Sequence, residues 1–276
     1  MAHVGRAMAG FFLETPGVAV SRVLRDGLVG AMYQPHRAYT REDAYVCTFL
    51  YVLICYACYA IGRATVYRGL TLKRSTYIHA GVVATVCTVQ GAYWYMEAFR
   101  RFPPTSLADL GPQLDRAMRE PSWMGMHCTT YYAAYCIADL SMGLVLYPKH
   151  MSVLEGWIHH TLYTWLMHWL TVNVRGPGLY CCFLPLELPT ALRAYGQLHP
   201  SLRSDFGFGI TFGLTRVGLN AILLVSIFLY CPVRTSWKIA ALILSLHLYW
   251  FTLWVSKYGG KALKGGDAHV LKPHSR

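Results

Sequence analysis

Residues 131–169 read YYAAYCIADLSMGLVLYPKHMSVLEGWIHHTLYTWLMHW. Two apolar runs, each near the length that crosses a bilayer, meet at Pro148-Lys149-His150. Pro148 lacks a backbone donor and crowds the preceding turn, so the runs are two helices with a tight connection. Asp139 sits inside the first run, and His159 and His160 sit inside the second. Ionisable groups are expensive in hydrocarbon, and those that persist there face a bundle interior or a wet cavity. The stretch therefore predicts antiparallel neighbours that turn titratable side chains toward a shared interior.

Composition extends that reading to the whole chain. Of 276 residues, 55% are hydrophobic and 14% charged, where a soluble domain carries about 25% charged residues. Mean hydropathy is +0.32. The net charge of +12 comes from Lys and Arg scattered between apolar runs, as in loops that meet anionic lipid. No nucleic-acid module accompanies it, and nucleic acid is not expected as a partner. The nine cysteines are odd in number and lie mostly inside apolar runs, which suits small buried hydrophobes better than an extracellular disulfide framework. Cys181-Cys182 are candidates for palmitoylation on sequence alone.

The fold class expected is an all-α polytopic membrane protein of about seven transmembrane helices, at 44–62, 75–98, 125–147, 152–172, 178–198, 207–231 and 236–257. Residues 1–43 form a lead-in, with a candidate amphipathic helix around Val18–Val29. Residues 44–74 hold the first span and its loop, 75–257 the main bundle, and 258–276 a basic disordered tail. Most connections are short, so consecutive helices run antiparallel side by side. The one long connection, 99–124, should lie outside the membrane. Basic residues divide evenly between the two sides, so the positive-inside rule does not orient the chain.

Further polar groups punctuate the later runs. Leu184-Pro185-Leu186-Glu187-Leu188-Pro189-Thr190 should kink or open its helix, with Glu187 facing the space so made. Arg193 follows on the same run, and Arg216 and Asn220, four apart, come on the next. The two arginines are candidate counter-ions for Glu187 and Asp139. Cys128, Tyr132, Tyr135 and Asp139 make one helical stripe, and His160, Thr164 and His168 make another. Adjacent histidines point about 100° apart, so His159 and His160 cannot face one target together. A zinc pair on a helix needs histidines one turn apart, and no metal site is expected. A neutral histidine facing a carboxylate suits proton transfer or nucleophilic attack. His79, His127 and His247 read, one by one, as interior polar groups.

His79, the run Tyr135-Cys136-Ile137-Ala138-Asp139, the pair His159-His160 and the motif Glu187-Leu188-Pro189-Thr190, in that order, resemble the TLC domain family. That family includes ceramide synthases, translocon-associated TRAM proteins and a neuronal-lipofuscinosis protein. The resemblance implies a six-helix bundle around a lipid-accessible cavity, preceded by an extra helix and placed in the endoplasmic reticulum. It implies a role in membrane lipid homeostasis, by binding or modifying an acyl lipid. His159, His160 and Asp139 would be catalytic in an acyltransferase version. His79, Tyr135, Glu187, Arg193, Arg216 and Asn220 would bind substrate. No resident cofactor is implied, with acyl-CoA a candidate co-substrate and membrane lipids the partners. Homo-oligomers and membrane-protein partners are left open. The chain departs from the synthase subgroup, whose acidic run after the histidine pair is replaced here by Trp169-Leu170-Thr171-Val172-Asn173. The competing class is a non-enzymatic lipid sensor or trafficking adaptor. A transporter comes third, because the proline-broken run has no counterpart in the other half.

Overall fold

The computed structural model describes residues 38–230 and 236–263, and every regular element in them is helical. The candidate amphipathic helix around Val18–Val29 lies outside the described residues. Helix α1, Arg41–Ala64, starts in a capping box in which Thr40 and Asp43 satisfy each other's backbone donors. Helix α2, Leu72–Arg101, is capped by Thr71, ends on two arginines that suit the negative end of its dipole, and stops before Pro103-Pro104. Helices α3, Leu107–Met118, and α4, Trp123–Val145, are capped by Ser106 and Ser122.

The fourth apolar run is a composite rod. A π turn, Val153–Ile158, leads into α5, His159–His168, and a second π turn, Trp169–Val174, ends at Arg175 with a left-handed φ of 55°. The fifth run is broken, as its prolines demand. Helix α6, Gly178–Cys181, gives way to a 3₁₀ turn, Leu184–Glu187, before α7, Leu188–Leu198. Next come α8, Asp205–Phe212, a π turn, Gly213–Leu219, and α9, Asn220–Tyr230. The last element is α10, Ser236–Leu263.

Among the described residues, three helices are long and apolar enough to cross a membrane: α1, the continuous run Asp205–Tyr230, and Trp237–Tyr258 within α10. Helices α2 and α4 have the length without the uniform apolar composition. For α4 the reason is its place at the centre. It packs against α1, α5 and α2, and nearly all of its first sixteen residues are buried. A helix wrapped by protein needs no lipid-compatible surface. Helix α7 packs along α2, α8 against α7 and α10, and α9 against α10 and α3.

Contacts at the two ends of the bundle fix the alternation of direction. At one end the Tyr39 hydroxyl donates to the Thr171 carbonyl (2.6 Å), and Arg175 Nη2 donates to the Tyr39 carbonyl (2.7 Å). At the other, Arg74 Nε and Nη2 donate to the carbonyls of Gln197 (3.0 Å) and Leu198 (2.9 Å).

Three sequence expectations need correction. The long connection is not simply a loop, because it contains α3. That helix buries Leu114, Ala117 and Met118 and packs on α9 and α6 at the end of the bundle. Pro112 inside it and the two prolines before it hid its amphipathic pattern. The tail expected to be disordered from residue 258 remains helical to Leu263. Two glycines cost only about 1 kcal/mol each in a helix. The rest of that tail lies outside the described residues. Cys181 and Cys182 are fully buried, so they pack as small hydrophobes and offer no lipidation site.

Candidate functional site

The connection Pro148–His150 is so short that α4 and the rod carrying α5 lie side by side, which sets Asp139 against His160. His160 Nδ1 lies 3.0 Å from Asp139 Oδ2, at ion-pair distance but off the axis of a straight N–H bond. The other oxygen, Oδ1, accepts a 2.7 Å hydrogen bond from the Tyr147 hydroxyl. Asp139 is thus held on both sides, and its partners are a histidine and a tyrosine rather than the arginines first considered. Misaligned hydrogen bonds are common in unliganded sites and straighten when substrate arrives. His159, one residue earlier, is turned aside and stacks on Tyr163 at 4.2 Å. The divergence expected of neighbours on a helix is what separates the two rings.

The broken fifth run supplies the second half of the site. In the 3₁₀ turn the Leu186 amide bonds Phe183, so the Cys182 carbonyl is released, and the Tyr95 hydroxyl takes it at 3.0 Å. Arg216, in the π turn between α8 and α9, donates from Nε to the Leu186 carbonyl (2.9 Å) and from Nη2 to the Thr190 hydroxyl (2.6 Å). Its Nη2 also lies 3.6 Å from Glu187 Oε2. The Tyr132 hydroxyl reaches the other Glu187 oxygen at 3.5 Å. Arg216 therefore fastens the opened turn by backbone, hydroxyl and carboxylate together. Both halves of the site touch π turns, a local geometry often found where function needs a side chain re-aimed.

These residues surround a cavity of about 370 Å³. Asp139, His159, His160, Tyr135, Glu187, Arg193 and Arg216 all line it, together with Tyr77, Tyr147, His150 and Met151 toward the loop end. A second, narrow slot of about 60 Å³ shares His159, Glu187 and Arg216 with it, and is otherwise walled mostly by Leu, Ile, Phe, Trp and Tyr side chains. A polar chamber and an apolar slot thus meet at three of the residues singled out from the sequence.

Three residues fall elsewhere. His79 is buried behind Tyr135, edge-on at 4.8 Å, with no hydrogen bond to either ring nitrogen among the described residues, and it does not line the chamber. Asn220 is also outside. It is fully buried, 3.1 Å from His247 Nδ1, which itself lies 3.1 Å from the Arg216 carbonyl. The π turn re-aims the backbone between Arg216 and Asn220, so their four-residue spacing does not put both into the chamber. His168 is exposed on the far side of α5 beside Tyr45, because eight residues at about 100° each carry it about 80° around the helix from His160. Sequence reasoning missed Tyr147, which lies past the end of α4 in the connection to the rod, where no helical period could flag it. It also missed His247 as a wall of the slot. The π turns left no legible signal.

No family model matches the chain, and no curated protein or solved structure matches it. The TLC resemblance accordingly rests on the residues quoted for it above.

Proposed function

We propose that this is a seven-span membrane protein of TLC type that holds an acyl lipid in its bundle, acts in membrane lipid homeostasis and resides in the endoplasmic reticulum. The observation that carries the reading is the junction at His159, Glu187 and Arg216 of a polar chamber containing the Asp139–His160 pair with an apolar slot. An amphiphile fits such a space, with its polar end among the charged groups and its chain in the slot.

The same pair supports acyl transfer as the chemistry. With Nδ1 turned toward Asp139, the His160 tautomer that carries its proton on Nδ1 leaves Nε2 as a base on the chamber side. Nε2 takes the proton from the hydroxyl or amine of an acceptor lipid. The freed heteroatom attacks the acyl carbonyl of the donor, the bond from that carbonyl to the donor's sulfur or oxygen breaks, and the proton passes to the leaving group. Arg216 and Arg193 would meet an anionic part of the donor, with acyl-CoA the first donor to try.

The test is mass spectrometry of lipids that co-purify in mild detergent, combined with rescue of a null strain's lipid profile at matched expression. His160→Ala and Asp139→Asn should fold, keep bound lipid and lose product by about 10²-fold or more. Tyr147→Phe, which removes one hydrogen bond to Asp139, should lower product by about tenfold. Full rescue by all three would leave a binding protein without catalysis. Absence of any retained lipid would remove the binding reading as well.

A further inference from the structure

Tyr135 has no part in the acid–base pair, yet it touches that pair and opens on the chamber. It stands one turn before Asp139 on α4, so the two side chains leave the same face of that helix. Its ring meets the His160 ring at 5.2 Å and 66° on one side, and the His79 ring at 4.8 Å and 63° on the other. Two imidazoles thus grip the ring in the edge-on arrangement that aromatic rings favour, and they leave the phenol little freedom to turn.

The hydroxyl is what this grip presents. Only 8% of Tyr135 is exposed, and the residue is a wall of the chamber. Its hydroxyl makes no hydrogen bond among the described residues, and, unlike both ring nitrogens of His79, it is not sealed from the space beside it. Interior polar groups are mostly paired, and the neighbouring donors follow that rule. Tyr147 donates to Asp139, Tyr132 reaches Glu187, and Arg216 spends Nε and Nη2 on the opened turn. Tyr77, the chamber's remaining tyrosine, lies toward the loop end. A donor held still beside the pair, with no partner in the resting fold, suits an acceptor that forms only during the reaction.

We infer that Tyr135 is the oxyanion donor of acyl transfer, an inference that rests on the reading of Asp139 and His160 as the base of that reaction. His160 Nε2 takes the acceptor's proton, and the acceptor's oxygen or nitrogen bonds to the acyl carbon. The electron pair of the carbonyl double bond moves onto its oxygen. The Tyr135 hydroxyl donates a hydrogen bond to that oxygen and keeps its own proton. When the carbonyl re-forms, the bond to the donor's sulfur or oxygen breaks, and the leaving group takes the proton from His160. A neutral hydroxyl adds little to the binding of an uncharged carbonyl and much more to the charge that develops on it, so it lowers the barrier without tightening the ground state.

The experiment expresses the full chain in a null strain and gives a short pulse of labelled oleate. It reads the initial rate at which label enters the lipid species that the null strain lacks. Tyr135→Phe removes one oxygen that bonds nothing in the resting fold, so melting temperature and co-purifying lipid should match wild type while the rate falls about 10²-fold. 3-Fluorotyrosine placed at position 135 keeps the hydroxyl and should keep most of the rate. Equal loss in both variants would assign the effect to ring packing, and loss of bound lipid together with the rate would make Tyr135 a ground-state contact; either overturns the inference. So would a lowered melting temperature in Tyr135→Phe, which would give the hydroxyl a structural partner, or a loss in Tyr77→Phe with none in Tyr135→Phe. His160→Ala and Asp139→Asn are measured alongside. If these two keep the full rate, the acyl-transfer reading itself fails; if they lose it and Tyr135→Phe does not, only the oxyanion assignment fails.

Discussion

Gly91→Ala tests the architecture of the site where α2 packs on the opened turn. Gly91 lies on α2 where the 3₁₀ turn carrying Glu187 presses closest. A Cβ added there would sit 2.5 Å from Pro185 Cδ and 2.9 Å from Leu184 Cβ. Ordinary carbon–carbon contact is about 3.5–4.0 Å, so the two segments must part by about 1 Å. A proline ring cannot swing away as a long side chain would, so backbone has to move. Overpacking of this kind costs about 1–3 kcal/mol, against about 1 kcal/mol gained from the better helix propensity of Ala. The net is a destabilisation of about 0–2 kcal/mol. Gly218→Ala is the control. Its nearest neighbour beyond four residues along its own turn is the Gly213 carbonyl at 3.5 Å, so it should show only the propensity gain. The two variants should therefore differ by about 1–3 kcal/mol, or roughly 3–10 °C in melting temperature for a chain of this size. The assay is thermal unfolding followed by tryptophan fluorescence in one detergent at one scan rate. Gly91→Ala should also retain less lipid, because the displaced turn moves Glu187. If Gly91→Ala melts as high as Gly218→Ala, the packing of α2 on the turn is not as described.

Glu187→Gln should lower stability modestly, since Arg216 keeps the Leu186 carbonyl and Thr190 hydroxyl, whereas Glu187→Leu should approach the roughly 3–5 kcal/mol typical of a broken buried pair and also change the lipid retained; equal melting of both with wild type would exclude the pair as a fastener. On the seven-span reading, tags at the two termini should lie on opposite sides of the membrane in a protease-protection assay, and same-side tags would mean a miscounted span. Burial raises the Asp115 carboxyl on α3 above the ordinary carboxylate value, with Arg119 pulling it back only in part. A raised folded-state value means the ionised form weakens the fold, a penalty present at neutral pH and withdrawn as pH falls through that value. Asp115→Asn should therefore stabilise at pH 7 and lose its advantage as pH falls toward 4, and an advantage independent of pH would refute the assignment.

The helical class and the positions of the apolar runs were legible because spanning length and hydropathy are properties of single segments. The broken fifth run was legible too, since Pro185 and Pro189 state their own backbone consequences. Residues that converge from neighbouring rods could be anticipated where one short loop fixes the geometry, as with Asp139 and His160. Helix α3 escaped because its interior proline argues against the helix that tertiary packing nonetheless stabilises. His79, Asn220 and His168 were misplaced for separate reasons: Tyr135 stands in front of His79, the π turn on the sixth run re-aims the backbone between Arg216 and Asn220, and eight residues carry His168 about 80° around α5 from His160.

The unequal hydropathy of the rods bears on how the chain is made. Helices α1, α8–α9 and α10 are apolar enough to partition into lipid one at a time as they leave the ribosome. On the seven-span reading, α4 and the rod around α5 each carry a group that hydrocarbon rejects, Asp139 in one and the histidine pair in the other. Neither would be retained in the bilayer as readily alone as with its partner. The connection Pro148–His150 delivers them as a hairpin within moments of each other, so the Asp139–His160 contact can form before either is released to lipid. Substituting Asp139 or His160 would then be felt first in the yield of inserted protein, and a lengthened loop at Lys149 would delay assembly without altering a single contact of the finished bundle.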